Sequence, residues 1–159
     1  MGNLCSFVDV LIANEEDAKD VFGIEAANTD ISGGSLSHDG YKSVAKQLSD
    51  RFGPQIVAIT LRTSKSASDN GWSGMLYDNK DFYFSKQYDV HIVDRVGGGD
   101  SFGAGLIYSI MNGETPAYSL EFAVAASCLK HSVEGDFNIV SADEVRKLAG
   151  GDGSGRVQR

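Results

Sequence analysis

Short apolar runs rich in β-branched residues alternate along the chain with segments in which apolar residues recur every three or four positions. The first pattern predicts strands and the second predicts amphipathic helices. Residues 56–61 show no polar alternation until their end, which predicts a central strand covered on both faces. The predicted strands are 8–12, 56–61, 74–77, 82–84 and 90–93. The predicted helices are 15–22, a second that starts after His38 or Asp39 and ends at Phe52, 100–111, 116–130 and 142–150.

Local signals mark several of the predicted helix ends. Gly23 is the left-handed residue that commonly follows a helix. His38 or Asp39 is predicted to cap the second helix. Thr115 precedes a proline at the first helical position, and Ser141 begins a capping box for the last helix. The sequence therefore indicates where these helices begin or end.

Polar stretches separate these elements. Residues 28–37 are predicted to form a surface loop, residues 62–70 a polar connection between two strands, and residues 151–159 a polar tail. The segments 74–77 and 82–84 are predicted to pair as a hairpin. Strands that alternate with helices predict a single α/β domain over residues 1–159, whose ligands bind beyond the carboxyl ends of its strands.

Composition narrows the classes of function. The 159 residues match the length of one domain, and the formal net charge of -8 argues against non-specific binding to nucleic acid or to an anionic membrane. No segment approaches the roughly 20 apolar residues needed to span a bilayer, and no signal-peptide pattern opens the chain. We therefore expect a cytoplasmic protein with no nucleic-acid or membrane partner. Cys5 and Cys128 lack metal-type spacing and are predicted to be buried thiols.

The most informative stretch is 94–105, Asp-Arg-Val-Gly-Gly-Gly-Asp-Ser-Phe-Gly-Ala-Gly, between a predicted strand and a predicted helix. Consecutive glycines are costly to order, and they are useful where bare backbone N–H groups face an anion at a helix N-terminus. Amides of Gly97, Gly98, Gly99 and Asp100 could surround a phosphoryl group, while the Asp100 carboxylate accepts a proton from an attacking hydroxyl. Alternatively, the glycines serve tight packing and Asp100 serves the helix dipole. Spacing alone leaves both readings open, and the stretch matches neither the P-loop nor the GxGxxG pattern.

This stretch resembles the second signature of the ribokinase-like (pfkB-type) carbohydrate kinases, usually Asp-Thr-x-Gly-Ala-Gly-Asp-x-Phe-x-x-Gly. The match includes both aspartates, two glycines, the phenylalanine and the last glycine. The order of the flanking elements is similar as well, so the resemblance covers nearly the whole chain. Within the family, residues 8–18, 62–72 and 135–138, together with the Arg95 variant of the signature, look most like the 2-keto-3-deoxygluconate kinases.

The resemblance implies roles for the residues that match the family motifs. Asp100 would be the general base that deprotonates a sugar hydroxyl as it attacks the γ-phosphate of ATP. Gly97–Gly99 would form the anion hole. Asn14 and Asp17 match the family's Asn-x-x-Glu element, which helps to organise Mg²⁺ and phosphate, with the shorter aspartate in place of glutamate. The alternative for Asn14 is a plain helix cap.

Further positions carry weaker implied roles. Thr60 and Arg62 end the central strand where the family contacts nucleotide phosphates, although an arginine that replaces a common glycine could equally pair with a surface carboxylate. Ala126, with its neighbours Ala125 and Cys128, would support the adenine ring. Asp136 resembles part of a loop that faces the sugar acid or the nucleotide, against the alternative of an ordinary turn aspartate.

The resemblance also bears on other ions. Asp94 occupies a position that helps to bind a monovalent cation in some ribokinases, but Arg95 replaces the usual threonine beside it. This replacement argues against potassium activation. The three histidines have no metal-ligand spacing and are expected to be surface or packed residues.

Members of the family are usually about twice as long, with an N-terminal half that contributes a Gly-Gly sugar signature and a small β-sheet lid. The resemblance therefore implies a ribokinase-like, three-layer α/β/α fold of which this chain is the C-terminal part. One hypothesis is an ATP-dependent kinase that converts 2-keto-3-deoxygluconate to its 6-phosphate. The alternatives are fructokinase or ribokinase specificity, or a non-catalytic nucleotide-binding fragment that forms a homo-oligomer through an exposed sheet edge.

Overall fold

Residues 1–24 and 38–151 are described by a computed structural model of the chain. The predicted loop 28–37 and residues 152–159 of the predicted tail lie outside the described residues. The helices are α1 Gly2–Cys5, α2 Glu15–Phe22, α3 His38–Phe52, α4 Gly98–Met111, α5 Pro116–Lys130 and α6 Ala142–Gly150. The strands are β1 Val10–Ala13, β2 Ile56–Ser64, β3 Asp69–Tyr77, β4 Phe82–Phe84 and β5 Tyr88–His91.

The five strands form one sheet in the order β1-β2-β3-β4, with β5 also paired to β3. Strands β1 and β2 are parallel, and the other pairs are antiparallel. Strands β4 and β5 share one edge of β3, because β4 pairs with its end at Met75–Tyr77 and β5 with its start at Asp69–Trp72. The predicted hairpin between 74–77 and 82–84 is confirmed, with Met75 opposite Phe84.

Each face of the sheet has its own apolar core. On one face, Tyr41, Val44 and Leu48 of α3 pack with alternate residues of β2 and β3. On the other face, α4 and α5 contribute Phe102 and Val124 to a second core. The sheet is therefore the middle layer of a helix–sheet–helix sandwich, as the implied α/β/α architecture requires. Helix α6 packs outside α5 through a third cluster.

Most element bounds follow the sequence patterns. Helices α2 and α5 have the predicted bounds, and the capping box at the start of α6 forms as predicted. Gly23 adopts the predicted left-handed conformation, with φ 69°. The predicted cap of α3 was wrong, because His38 and Asp39 both lie inside its first turn.

Three strand predictions require correction. The strand predicted at 8–12 runs from Val10 to Ala13. Residues 62–70 are largely strand, because β2 runs on to Ser64 and β3 begins at Asp69. A tight turn joins these strands, in which the amides of Lys65 and Ser66 donate to the Asp69 carbonyl at 3.1 and 2.9 Å. The strand predicted at 90–93 begins two residues earlier, as β5, because Tyr88–His91 pairs with Asp69–Trp72 of β3.

No helix within residues 1–24 and 38–151 is long and apolar enough to cross a membrane.

Candidate functional site

The glycine-rich stretch forms the turn that starts α4. Gly97 is the N-cap residue in the left-handed conformation, with φ 81°, and Asp100 lies in the first helical turn. The first helical hydrogen bond joins the Ser101 amide to the Gly97 carbonyl at 2.9 Å. The amides of Gly99 and Asp100 precede it, so they have no acceptor within the helix. The Gly98 amide donates to the Arg95 carbonyl at 3.2 Å.

The three glycines differ in what surrounds them. A Cβ on Gly97 would lie 2.2 Å from the Asp136 carbonyl oxygen, and one on Gly98 would lie 2.9 Å from the His131 ring. Packing therefore requires glycine at these two positions. A Cβ on Gly99 would meet no atom within 4 Å. Packing does not explain Gly99, whereas a ligand approaching the backbone would.

A cavity of about 360 Å³ opens beside this turn. It brings together three residues singled out from the sequence, Asp100, Ala126 and Asp136, and Asp100 and Asp136 are exposed. Ala125 and Cys128, the other residues expected under an adenine ring, are buried in the core and do not line this cavity. The rest of the lining is Ser101, Ala104, Gly105, Tyr108, Phe122, Phe137, Asn138, Val140, Ala142 and Val145.

Ser101 and Asn138 are cavity residues that the sequence motifs do not reveal. The Asn138 side chain donates to the Ser101 hydroxyl at 3.1 Å and reaches the Ala126 carbonyl at 3.5 Å. It thereby ties the loop after α5 to the start of α4. Asn138 belongs to the same Gly-Asp-Phe-Asn stretch as Asp136, and this stretch could have indicated it. A half-buried amide in a loop needs hydrogen-bond partners.

A smaller cavity, of about 80 Å³, gathers a second group of the predicted residues. Asn14, Thr60 and Arg62 line it together with Glu16 and Trp72. The Arg62 Nε and Trp72 Nε1 atoms are buried and lack a hydrogen-bond partner among the described residues. Arg62 makes no ion pair with a surface carboxylate among the described residues. Two buried hydrogen-bond donors, Arg62 Nε and Trp72 Nε1, thus belong to residues that line this cavity.

Asn14 and Asp17 form a capping box at the start of α2. The Asn14 Oδ1 atom accepts from the Asp17 amide at 2.8 Å, and the Asp17 Oδ2 atom accepts from the Asn14 amide at 3.0 Å. The described residues contain no group of three carboxylate, histidine or cysteine side chains that could enclose a metal. The Asn14 Oδ1 and Asp17 Oδ2 atoms already accept these cap hydrogen bonds, so Mg²⁺ at this site would keep most of its water and phosphate ligands.

Asp94 holds two turns together. Its carboxylate accepts from the Val96 amide at 3.0 Å and from the Gly135 amide at 2.9 Å. These backbone hydrogen bonds hold the pKa of the Asp94 carboxyl below its ordinary value of 3.8. The neighbouring Arg95 donates to the Ala67 carbonyl at 2.6 Å, so its guanidinium is anchored on the turn between β2 and β3.

The sequence model of the pfkB family carbohydrate kinases matches residues 2–143. The chain belongs to the pfkB family of carbohydrate kinases.

Individual pfkB relatives agree with this assignment. The chain is 30% identical to the 2-dehydro-3-deoxygalactonokinase of Haloferax volcanii, covering 91% of this chain and 39% of the relative. The crystal structure of the Thermotoga maritima 2-dehydro-3-deoxygluconokinase superposes with a TM-score of 0.86 at 44% identity, covering 94% of this chain and 44% of that one. The chain therefore spans about two fifths of the length of these relatives.

More distant structures share the fold. The Arabidopsis thaliana ribokinase complexed with ribose and ATP superposes with a TM-score of 0.66 at 20% identity, covering 94% of this chain. The ribokinase-like α/β fold implied by the sequence is confirmed, and the chain represents part of it.

The histidines of this pfkB chain are packed or exposed, as expected. His38 stacks on Phe84 with ring centroids 4.2 Å apart, and the His91 ring lies 2.7 Å from an Asp69 oxygen at the surface. His131 is buried beneath Gly98, and its Nδ1 atom lies 2.7 Å from the Ser127 carbonyl oxygen. His131 therefore supports the glycine-rich turn from below.

Burial of His131 gives the pfkB fold a stability that depends on pH. Burial lowers the pKa of the His131 imidazole from its ordinary value of 6.5. The unfolded chain therefore binds a proton near pH 6.5 that the folded chain resists, so stability is present above this pH and is lost as the pH falls below it. We expect the free energy of unfolding to fall between pH 7 and pH 5 in urea titrations.

Two variants assign this pH dependence. His131→Gln is expected to flatten it, and His91→Gln is the matched control that removes an exposed imidazole. An unchanged slope in His131→Gln would contradict the assignment to this buried imidazole.

Proposed function

We propose that this chain carries the nucleotide-binding and catalytic part of an ATP-dependent kinase for a 2-keto-3-deoxy sugar acid. The reaction transfers the γ-phosphoryl group of ATP to the 6-hydroxyl of 2-keto-3-deoxygluconate, giving the 6-phosphate and ADP. The observation that carries this proposal is the start of α4. An exposed Asp100 there adjoins Gly99, whose surroundings are empty, at the wall of a cavity large enough for a ligand.

The proposed chemistry uses groups of this turn. The Asp100 carboxylate takes the proton of the sugar hydroxyl as its oxygen forms a bond to the γ-phosphorus. The bond between that phosphorus and the β,γ-bridging oxygen breaks, and ADP leaves. The amides of Gly97, Gly99 and Asp100 stabilise charge on the transferring group, aided by the positive end of the α4 dipole, whereas the Gly98 amide of the implied anion hole Gly97–Gly99 donates to the Arg95 carbonyl. Among them, Gly99 and Asp100 have amides without a helical acceptor.

The two cavities divide the nucleotide between them in this proposal. Ala126 and Phe122 provide apolar surface for the adenine ring in the larger cavity, where Asp136 faces a polar part of the nucleotide or the sugar acid. Thr60 and Arg62 meet phosphate oxygens in the smaller cavity, since a guanidinium matches phosphate geometry. Asn14 and Asp17 would hold Mg²⁺ through water or phosphate, and the ion would neutralise phosphate charge.

The substrate class is inferred from relatives. The relatives at 30% and 44% identity are kinases of 2-dehydro-3-deoxygalactonate and 2-dehydro-3-deoxygluconate, two sugar acids with the same keto-deoxy chain. Their shared chemistry favours this class over fructose or ribose. Residues 1–159 then form the C-terminal part of the kinase fold, and a complete site needs surfaces supplied by further chain or by assembly.

The test is ADP release by the purified chain with MgATP and five separate additions: 2-keto-3-deoxygluconate, 2-keto-3-deoxygalactonate, fructose, ribose and no sugar. Turnover that depends on either keto-deoxy acid supports the proposal, and the ratio of the two defines the preferred epimer. Turnover with fructose or ribose alone would replace the proposed substrate class. Nucleotide binding without turnover would favour the non-catalytic fragment, and light scattering would then show whether it forms homo-oligomers.

A further inference from the structure

Lys130, the last residue of α5, is fully buried. A lysine with no solvent exposure is rare, because removing an ammonium group from water is costly unless the protein supplies compensating partners. None of the roles proposed above uses this side chain. The burial of the Lys130 side chain therefore needs an explanation from the groups around it.

Three groups around Lys130 offset its positive charge. Its Nζ atom donates to the Val133 carbonyl at 3.0 Å. Its position at the C-terminus of α5 places a positive charge where the helix dipole is negative. Its charge also acts on the nearby Asp94, whose carboxyl pKa is lowered first by the amides of Val96 and Gly135 and further by Lys130.

Lys130 lies beneath the junction of two turns, the Asp94 turn (residues 94–97) and the Asp136 turn (residues 133–136). The Asp94 carboxylate crosses the junction to the Gly135 amide at 2.9 Å. Gly97 closes it from the other side, since a Cβ there would lie 2.2 Å from the Asp136 carbonyl oxygen and 3.2 Å from the Lys130 Cε atom. The Lys130 Nζ atom therefore contacts the Asp136 turn through Val133, and its Cε atom lies beside Gly97 of the Asp94 turn.

We infer that Lys130 is a positioning residue whose buried ammonium group holds the Asp94 turn against the Asp136 turn. The first turn leads directly into the amides of α4, and the second carries Asp136 to the cavity wall. Fixing one against the other sets the spacing between the amide cradle and the opposite wall of the cavity. The link from this spacing to phosphoryl transfer rests on the proposed function, whereas the contact between the turns does not.

The test is amide hydrogen exchange by mass spectrometry on Lys130→Met and Lys130→Arg. Methionine keeps a long unbranched chain without charge, and arginine keeps the charge. With Lys130→Met, we expect exchange in peptides covering 94–100 and 131–138 to be about tenfold faster or more, while exchange in β2 and β3 stays as in the parent chain. Lys130→Arg is expected to retain most of the protection.

Lys46→Met is the matched control, because the Lys46 side chain is 58% exposed in α3. It removes the same charge and is expected to leave exchange in both turns unchanged. The inference is overturned if Lys130→Met leaves both turns protected, or if methionine and arginine give the same result, including failure of both to fold. In those cases the side chain contributes packing and not a positioned charge.

Affinity for MgADP, measured by calorimetry, separates this inference from the proposed function. Loss of exchange protection together with at least a tenfold weaker affinity in Lys130→Met supports both. If the parent chain binds no MgADP, the nucleotide-binding proposal fails for this chain, while the exchange data still decide the role of Lys130.

Discussion

Replacing Asp100 by asparagine is expected to lower the rate of phosphoryl transfer by about 10²- to 10⁴-fold, the usual contribution of a general base. Asparagine keeps the size of the side chain but has no carboxylate to accept the hydroxyl proton. Nucleotide affinity should not fall, because the substitution removes a negative charge from the neighbourhood of the phosphates. The measurements are ADP release under the conditions that give turnover and MgADP binding by calorimetry.

Asp143→Asn is a suitable control for this experiment, because the Asp143 side chain is 92% exposed on α6. It changes the net charge equally and should retain the parent rate. Parent-like turnover in Asp100→Asn would show that Asp100 serves only the α4 dipole. A loss of both turnover and MgADP binding would instead indicate a general disturbance of the turn.

The helices are the part of the fold that local sequence predicts well. Their ends depend on nearby residues, such as Gly23 after α2 and the Ser141 capping box before α6. The strands are harder, since their bounds depend on partners far along the chain. Arg62 pairs with Trp72 across β2 and β3, so a polar residue sits within a strand because its neighbour supplies the ladder.

In the candidate site, too, local sequence predicts some features and distant partners determine the others. The motif identifies Asp100 and its glycines from spacing, and the structure places Asp100, Ala126 and Asp136 at one cavity. The spacing of the glycines in the sequence does not show whether each one serves packing or ligand contact. The answer depends on which atoms of other segments lie next to each glycine. The atoms opposite Gly97 belong to Asp136, and those opposite Gly98 belong to His131, both distant in sequence.

The buried charge under the turn is also invisible in the sequence pattern. Lys130 ends an apolar helix, where a lysine is an ordinary way to finish a helix near solvent. In the folded chain the residue is fully buried, and its Nζ atom donates to the Val133 carbonyl. Tertiary context thus turns a common helix end into an internal charge.

Gly97→Ala is expected to destabilise the fold by more than about 3 kcal/mol, the range that severe backbone and steric conflicts reach. The substitution forces a side chain into the left-handed region at φ 81° and places its Cβ 2.2 Å from the Asp136 carbonyl oxygen. Neither atom belongs to a flexible side chain, so one of the two turns has to move. Urea unfolding followed by circular dichroism gives the change in the free energy of unfolding.

Gly99→Ala separates this packing requirement from ligand binding. Gly99 lies in α4 with no atom within 4 Å of its Cβ position, so alanine should leave stability unchanged or raise it by roughly 0.5–1 kcal/mol, the preference for alanine in a helix. The same methyl group enters the space that the proposed phosphate occupies, so MgADP affinity is expected to fall. Parent-like affinity in Gly99→Ala would mean that no ligand approaches this backbone, and the three glycines would then be explained by packing and helix start alone. A stable Gly99→Ala with weakened nucleotide binding, beside an unstable Gly97→Ala, would assign the first two glycines to the fold and the third to the ligand.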